Sequence, residues 1–287
     1  MTTIFKQNLE LLKFPRTAHI EGSRLQKGDE DCGHVPYASV AGRYIVIEEK
    51  LDGGNAGVSY TEGGEQLLQS RGHYLVGGGR ERQFNLFKRW AAAHEQALLT
   101  SLEDRYICFG EWMYKKHSMF YDNLPAYFNE FDIWDRSREV FLSTRARAEV
   151  LGSAPVLAVP VLYKGPAPAK LVDLLNLITT SYAKTKNWRE QFEKVVPREG
   201  FDIAKAWEMT DKSDLMEGLY IKVEEGGEVV DRFKIVRKDF TQAILDADVH
   251  HSAQPFIPNQ LAPGVDIFAP MLTLTWQDLG VPTVKAL

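Results

Sequence analysis

Short apolar runs separated by glycine-rich or charged turns follow one another along most of the chain. The runs that are β-branched, or that alternate with polar residues, predict strands at residues 44–47, 56–60, 66–71, 106–109, 127–134, 139–142, 216–225 and 229–236. Two neighbouring pairs of runs are joined by Gly63-Gly64 and Gly226-Gly227, and glycines at such positions favour the tight turn of a hairpin. The pattern therefore predicts mostly antiparallel sheets.

Helical periodicity is confined to a few segments. Apolar residues at a spacing of about 3.6 predict helices at residues 83–99, 170–180 and 188–196. Beyond residue 240, prolines recur at 255, 258, 263, 270 and 282, which suppresses long helices and central strands. We therefore expect an α+β fold with mostly antiparallel sheets and flanking helices, a main domain over residues 1–240, and an irregular appendage over residues 241–287 that packs on it.

The composition of the 287-residue chain is that of a folded globular protein. Apolar residues make up 44% and charged residues 25%, so intrinsic disorder is excluded for most of the chain. The net charge of −5 argues against non-specific coating of nucleic acid but leaves room for a local basic groove. Two cysteines, Cys32 and Cys108, are too few for a disulfide framework, and neither a secretory signal nor a membrane span is evident, so we expect a cytoplasmic protein.

The run KLDGGN at residues 50–55 carries the most informative chemistry. Lys50 ends a predicted strand and is followed by glycines that allow a ligand to approach the backbone. A free lysine amine has a pKa of about 10.4, so it becomes a nucleophile only where burial or nearby positive charge, including a metal ion, removes its proton. On this run alone, a surface lysine before a glycine-rich turn accounts for the residues equally well.

Further motifs make the chain resemble the covalent nucleotidyltransferases, the superfamily of ATP-dependent DNA ligases, RNA ligases and mRNA capping enzymes. The matching runs are KLDG at 50–53, FGEW at 109–112, EFD at 130–132, EGLYIK at 217–222 and RFKIVR at 232–237. Arg71 falls where this superfamily places an arginine after the first motif, and Asn55 is more typical of the RNA ligases. The first residue of the fifth motif is Arg232 rather than the usual lysine, and arginine holds a phosphate but cannot act as an acid or base.

The resemblance implies a role for each matched residue. Lys50 would carry AMP, Glu111 would contact the ribose, and Phe131 would stack on the adenine. The implied catalytic residues are Lys50, Lys222 and Lys234, the implied nucleotide-binding residues are Glu49, Lys50, Asn55, Arg71, Glu111, Phe131, Lys222 and Lys234, and Glu217 is the implied metal ligand. Four of these residues could instead be purely structural. Glu111 and Glu217 could be solvated or salt-bridged carboxylates at strand ends, Phe131 a core residue, and Lys222 a strand residue facing solvent.

The resemblance also implies a fold and a reaction. The fold would be a nucleotidyltransferase (ATP-grasp-like ligase) domain, and the chain after the fifth motif is too short for the C-terminal OB domain of DNA ligases and capping enzymes. That favours the RNA ligase branch, with ATP and Mg²⁺ or Mn²⁺ as cofactors and RNA with 5′-phosphate and 3′-hydroxyl ends as substrate. An end-healing kinase or phosphatase is an expected partner. The alternatives are a DNA nick-sealing ligase, a GTP-using capping enzyme and a catalytically silent nucleic-acid-binding module.

Basic residues outside the motifs fit either of two roles. They could form a surface that binds the phosphates along a nucleic acid, or they could be ordinary solvated charges. The basic residues form three groups, which are Lys115 with Lys116, Arg145 with Arg147, and Lys184 with Lys186 and Arg189.

Overall fold

The computed structural model describes residues 10–25, 33–241 and 256–284. The strands of this part of the chain are β1 (Ala18–Ile20), β2 (His34–Val35), β3 (Tyr44–Lys50), β4 (Gly54–Tyr60), β5 (Gln66–Ser70), β6 (Tyr106–Trp112), β7 (Phe128–Asp135), β8 (Val140–Phe141), β9 (Leu157–Ala158), β10 (Val161–Pro166), β11 (Gly218–Glu225) and β12 (Glu228–Val236). The helices are α1 (Asn85–Ala93), α2 (Glu95–Leu102), α3 (Thr144–Leu151), α4 (Leu171–Leu175), α5 (Trp188–Arg198) and α6 (Ile203–Glu208). The α+β class is confirmed.

The strands form two sheets within the described residues. Sheet A has the order β10-β3-β11-β12-β1-β2, and sheet B has the order β5-β4-β6-β7-β8 with β9 beside β7. All neighbours are antiparallel except β12 with β1, β1 with β2, and β7 with β9. Both predicted hairpins are present, as β4 with β5 and as β11 with β12, so the prediction of mostly antiparallel sheets is confirmed.

Alternation along the strands gives sheet A two different faces. On β3 and β11, Ile45, Ile47, Leu219 and Ile221 are fully buried in one apolar core. Because successive side chains point to opposite sides of a strand, the residues between them face the other way. That second face carries charged side chains and meets residues of sheet B. The candidate site is built there.

A single predicted helix over residues 83–99 is wrong. Residues Gly79–Phe84 form a 3₁₀-helix, and the following helix is interrupted at His94, whose backbone leaves the helical region (φ −107°, ψ 13°). The His94 ring lies 2.7 Å from the backbone oxygen of Ile267 in the C-terminal part of the chain. This contact joins residues far apart in sequence, so periodicity did not reveal it. The helix predicted at 170–180 is likewise shorter, spanning Leu171–Leu175.

The C-terminal residues 256–284 contain no helix or strand, as the proline spacing predicted. These residues pack against the rest of the described chain. Trp276 is buried in the main apolar core, and the Asn259 side chain donates to the backbone oxygen of Met113 at 2.7 Å and accepts from the amide of Tyr121 at 3.0 Å. The division at residue 240 stays a prediction, and Pro255 and Cys32 lie outside the described residues.

Helices of the described ranges are all too short or too polar for a bilayer crossing. Cys108 is buried in β6 and is not in a disulfide.

Candidate active site

The end of β3 brings Lys50 against Glu217. In sheet A, Lys50 is opposite Gly218, and the Lys50 Nζ lies 2.7 Å from the Glu217 Oε1. The Glu217 side chain is 1% exposed and that of Lys50 is 23% exposed. Residue 218 has to be glycine because a Cβ there would lie 1.8 Å from the backbone oxygen of Ile235. The first and fourth motifs therefore meet through strand register.

The pairing keeps Lys50 protonated. Burial by itself lowers the pKa of Lys50, but the nearby carboxylates outweigh burial, with Glu217 the largest and Glu111 and Asp52 adding to it, so the pKa is raised above its usual range. The sequence led us to expect burial or positive charge that would remove the proton. The structure instead pairs Lys50 with carboxylates that favour the ammonium form, and an ammonium group is not nucleophilic.

Glu111 and Asn55 lie on the neighbouring sheet close to Lys50. They are opposite each other in the pairing of β4 with β6, and the Glu111 Oε1 accepts a hydrogen bond from the Gly53 amide at 3.0 Å. Burial, together with the charges of Asp52 and Glu217, raises the pKa of Glu111 to about 8, although Lys50 acts in the opposite direction. The Asn55 Oδ1 is buried and makes no hydrogen bond. A buried oxygen of this kind is a ready acceptor for a ligand donor or a cation.

Asp52 fixes the turn that follows Lys50. Its Oδ2 accepts from the amides of Ser118 and Met119, both at 2.7 Å, and its own amide donates to the Tyr121 hydroxyl at 3.0 Å. Gly53 beside it has no room for a side chain, because a Cβ would lie 2.8 Å from both the Met113 sulfur and the Trp112 carbonyl oxygen. The turn between the two sheets is therefore rigid.

The oxygen ligands near Lys50 suit a divalent cation that also binds water and phosphate. Glu217, Glu111 and Asp52 each interact electrostatically with Lys50, which places three carboxylates around one ammonium. No group of three or more histidine, cysteine, aspartate or glutamate side chains is arranged as a metal cage within the described residues. Mg²⁺ commonly takes one or two protein carboxylates and completes its shell with water and phosphate oxygens, so this set fits.

Glu49 lies on the other face of β3. It is opposite Leu219, a residue of the apolar core of sheet A, and its Oε1 accepts a hydrogen bond from the Ser181 hydroxyl. Burial raises the pKa of Glu49 to about 7, while Ser181 lowers it. The Glu49 Oε2 is buried and makes no hydrogen bond. The structure thus directs the carboxylates of Glu49 and Glu48 to opposite sides.

Lys222 is enclosed in a group of charged residues that we call the buried charge cluster. The cluster joins both sheets and helix α3, and it consists of Glu48, Glu130, Asp132, Arg147, Lys222 and Arg232. The Lys222 Nζ lies 2.8 Å from the Glu48 Oε2 and also donates to the carbonyl oxygen of Phe131. Its side chain is 0% exposed. The alternative role of Lys222 as a solvent-facing strand residue is therefore wrong.

Phe131 and Lys234 lie on the facing surfaces of the two sheets. The Phe131 ring packs edge-on against Phe14, with 5.0 Å between ring centroids, and belongs to an apolar group that includes Tyr220 of β11. Lys234 is opposite Tyr220 in the register of β11 with β12 and is 9% exposed. Arg71 lies just beyond β5 and is exposed. The structure thus brings Lys50, Glu217, Glu111 and Asn55 together, whereas Lys222 and Phe131 meet in the adjoining cluster.

Both alternatives for the basic groups, a phosphate-tracking surface and ordinary solvated charge, are wrong for four of their residues. Lys115, Lys116, Arg147 and Lys184 are each less than a tenth exposed. Burial lowers the pKa of Lys116 to about 7 and that of Lys184 to about 8, which is the opposite of what solvated lysines show. Arg145, Lys186 and Arg189 are exposed.

Arg147 is the residue that our sequence reasoning misjudged most. Its position four residues before the buried Leu151 places both on the inner side of α3, and that spacing was visible in the sequence.

The solved structures that the chain matches include variants of a Naegleria gruberi RNA ligase. A form without ligand is 16% identical with a TM-score of 0.48, and the match covers 78% of this chain and 57% of that chain. A form with ATP and Mn is 15% identical with a TM-score of 0.48, covering 79% and 56%. The chain thus spans less than two thirds of the length of these proteins. No match was found among curated proteins.

A family model gives the firmer result. The model described as RNA ligase matches residues 43–236, which is more than half of the chain and contains nearly all of the five motifs, ending within the last. The chain belongs to the RNA ligase family.

Proposed function

We propose that the chain is an ATP-dependent RNA ligase that forms a covalent lysyl-AMP intermediate at Lys50. The Nζ of Lys50 attacks the α-phosphate of ATP, a nitrogen–phosphorus bond forms, and pyrophosphate leaves with the broken phosphorus–oxygen bond. AMP then passes to the 5′-phosphate of an RNA end, and a 3′-hydroxyl displaces AMP to seal the strand. The observation that carries the proposal is the pairing of Lys50 with Glu217 at 2.7 Å at the partly exposed end of β3.

The protonation of Lys50 is the first requirement of this chemistry. Glu217 raises the pKa of Lys50 and burial lowers it. Loss of the Glu217 contact therefore leaves burial as the main influence and favours the neutral amine. A bound Mg²⁺ or Mn²⁺ would supply charge neutralisation between the carboxylates and the triphosphate. Glu217 is the residue best placed to hold it.

The remaining residues bind and orient the nucleotide in this proposal. Glu111 contacts the ribose hydroxyls, and Phe131 stacks on the adenine. Arg71 and Lys234 stabilise the negative charge that develops on phosphate oxygens, which is where the barrier to phosphoryl transfer is lowered. Asn55 lines the nucleotide site, whereas Glu49 lies on the other face of β3, where its carboxylate accepts from the Ser181 hydroxyl. Lys222 contributes indirectly, because its contacts hold strands β3 and β7 in position.

The proposed reaction also assigns different roles to the two parts of the chain. Residues 1–240 contain all nucleotide-transfer motifs. We assign residues 241–287 to packing and substrate placement. The physiological substrate is RNA with a 5′-phosphate and a 3′-hydroxyl, supplied by a kinase or phosphatase that prepares the ends.

The test is covalent labelling of the purified protein. Incubation with ATP labelled at the α-phosphate and a divalent cation should give a labelled band on a denaturing gel, GTP should give much less, and Lys50→Ala should give none. Nicked RNA and nicked DNA duplexes offered to the labelled protein separate the RNA ligase from the DNA ligase. A protein that stays unlabelled with either nucleotide would be a silent nucleic-acid-binding module.

A further inference from the structure

Arg147 connects the two halves of the candidate nucleotide site. Its Nη2 donates to the Glu48 Oε1 on β3 at 2.8 Å, and its Nη1 donates to the Glu130 Oε1 on β7 at 2.8 Å. Nη1 also donates to the carbonyl oxygen of Phe131. One planar guanidinium group therefore holds a strand of sheet A and a strand of sheet B at a fixed separation.

Both strands carry residues that the proposed function uses. Glu48 precedes Lys50 by two residues and lies on the same face of β3, so its position and the position of the nucleophile are coupled through an extended backbone. On β7 the contact is with the backbone of Phe131 itself, the residue proposed to stack on the base. The distance between the nucleophile and the base platform depends on this bridge.

Stability alone does not explain such a cluster. The side chains of Arg147, Glu48 and Glu130 are each 1% exposed. Removing ions from water costs several kcal/mol per ion, and well-packed apolar residues of similar volume are often as stabilising or more so. A charged bridge does fix distance and direction, which apolar contacts do less strictly, and misplacement of reacting groups by about 1 Å costs about a hundredfold in rate.

We propose that Arg147 is a positioning residue that sets the spacing between Lys50 and Phe131 and thereby couples base recognition to nucleotide transfer. This inference rests on the proposed function for its chemistry. The hydrogen bonds of Arg147 go to Glu48, Glu130, Thr144 and the carbonyl oxygen of Phe131. Its effect is transmitted through Glu48 on one side and through the backbone of Phe131 on the other.

The experiment compares ATP with ribose 5-triphosphate, which lacks the base. Equilibrium binding of both compounds is measured by calorimetry on the full chain, and covalent labelling by both is measured in single-turnover reactions. Arg147→Lys keeps the charge but cannot bridge two carboxylates with one planar group. We expect it to reduce the preference for ATP about tenfold, the size of one lost base-stacking contact. A variant that is only destabilised would lose affinity for ATP and for ribose 5-triphosphate to the same extent.

Matched controls separate positioning from folding. Arg145 lies on the same helix, and its side chain is 91% exposed. Arg145→Lys should therefore leave the preference for ATP over ribose 5-triphosphate unchanged. In a Phe131→Ala background, Arg147→Lys should have no further effect, because the contact that it positions is already gone. If Arg147→Lys does not fold, Glu130→Gln weakens the same bridge on one side and should lower the preference in the same direction.

The outcomes distinguish this inference from the proposed function. A folded Arg147→Lys protein with an unchanged preference overturns the inference, and so does an Arg147→Lys effect that persists in full without Phe131. A wild-type protein that binds ATP but never forms an adduct overturns the proposed function, while the binding preference still tests Arg147. A wild-type protein that binds neither compound overturns both.

Discussion

Two lysine–glutamate pairs join the same two neighbouring strands, and their lysines differ in exposure to solvent. Lys50 of β3 pairs with Glu217 just before β11 at 2.7 Å, and Lys222 of β11 pairs with Glu48 of β3 at 2.8 Å. The side chain of Lys50 is 23% exposed, whereas that of Lys222 is 0% exposed.

The surroundings explain the difference. Lys222 also contacts Asp132 and the carbonyl oxygen of Phe131, so its charge is held from several directions. Lys50 lies at a strand end next to the glycine turn, where ligand and water can replace its partner. The chemical groups in the two pairs are the same, so the two pairs differ only in solvent access and in the number of fixed partners.

The largest expected effect is on covalent labelling when Lys50 is replaced. Lys50→Ala should reduce the labelled adduct by about a thousandfold or more, because the atom that forms the bond is missing. Lys50→Arg should be equally inactive, since a guanidinium group does not give up its proton near neutral pH. The adduct is quantified on a denaturing gel, with the exposed Lys238→Ala as control. Labelling of Lys50→Ala at the wild-type yield would remove Lys50 from the mechanism.

Replacing the enclosed lysine should instead lower stability. Lys222→Met leaves Glu48 without one of its buried cations, and breaking a buried pair costs about 3–5 kcal/mol in the free energy of unfolding. Urea unfolding measures the change, with the exposed Arg145→Met expected to stay within about 0.5 kcal/mol of wild type. Lys50→Met should cost clearly less than Lys222→Met. An equal loss at the two sites would contradict the distinction between them.

Glu217→Gln tests how the reactive pair works. We expect the labelling rate at saturating Mg²⁺ to fall about a hundredfold, as for the loss of one electrostatic contact to developing charge. The pH at which labelling is half-maximal should also move lower, because the carboxylate that raises the pKa of Lys50 is gone. Wild-type rates across a magnesium titration would exclude Glu217 from the mechanism.

The smallest expected effect concerns Glu111. Its folded-state pKa of about 8 lies above its unfolded value, so between these pH values the folded protein binds more protons and its stability falls as the pH rises. Glu111→Gln should remove this contribution, changing the stability difference between pH 6 and pH 8 by about 1 kcal/mol after allowance for solvent screening. Urea unfolding at the two pH values measures it. If the free energy of unfolding changes by the same amount between the two pH values in the variant and in the wild type, Glu111 does not titrate in this range.

Although β1, β2, β9 and β10 were not predicted, the sequence by itself determined eight of the twelve described strands, both hairpins and the order of the motifs. These depend on local patterns, since alternation and glycine turns report which residues share a face and where the chain reverses. The family membership rests on the same linear order of motifs. Lys50, Glu111 and Glu217 could therefore be proposed as site residues without coordinates.

Only the tertiary structure decided how the charges pair. Glu48 and Lys222 are far apart in sequence, and nothing local indicates that strand register brings them together while Lys50 meets Glu217. The burial of Arg147 and the break at His94 likewise depend on elements that arrive from elsewhere in the chain. The protonation of Lys50 is the clearest case, because its pKa is set by the balance of burial against three carboxylates, and both depend on three-dimensional distance rather than on sequence position.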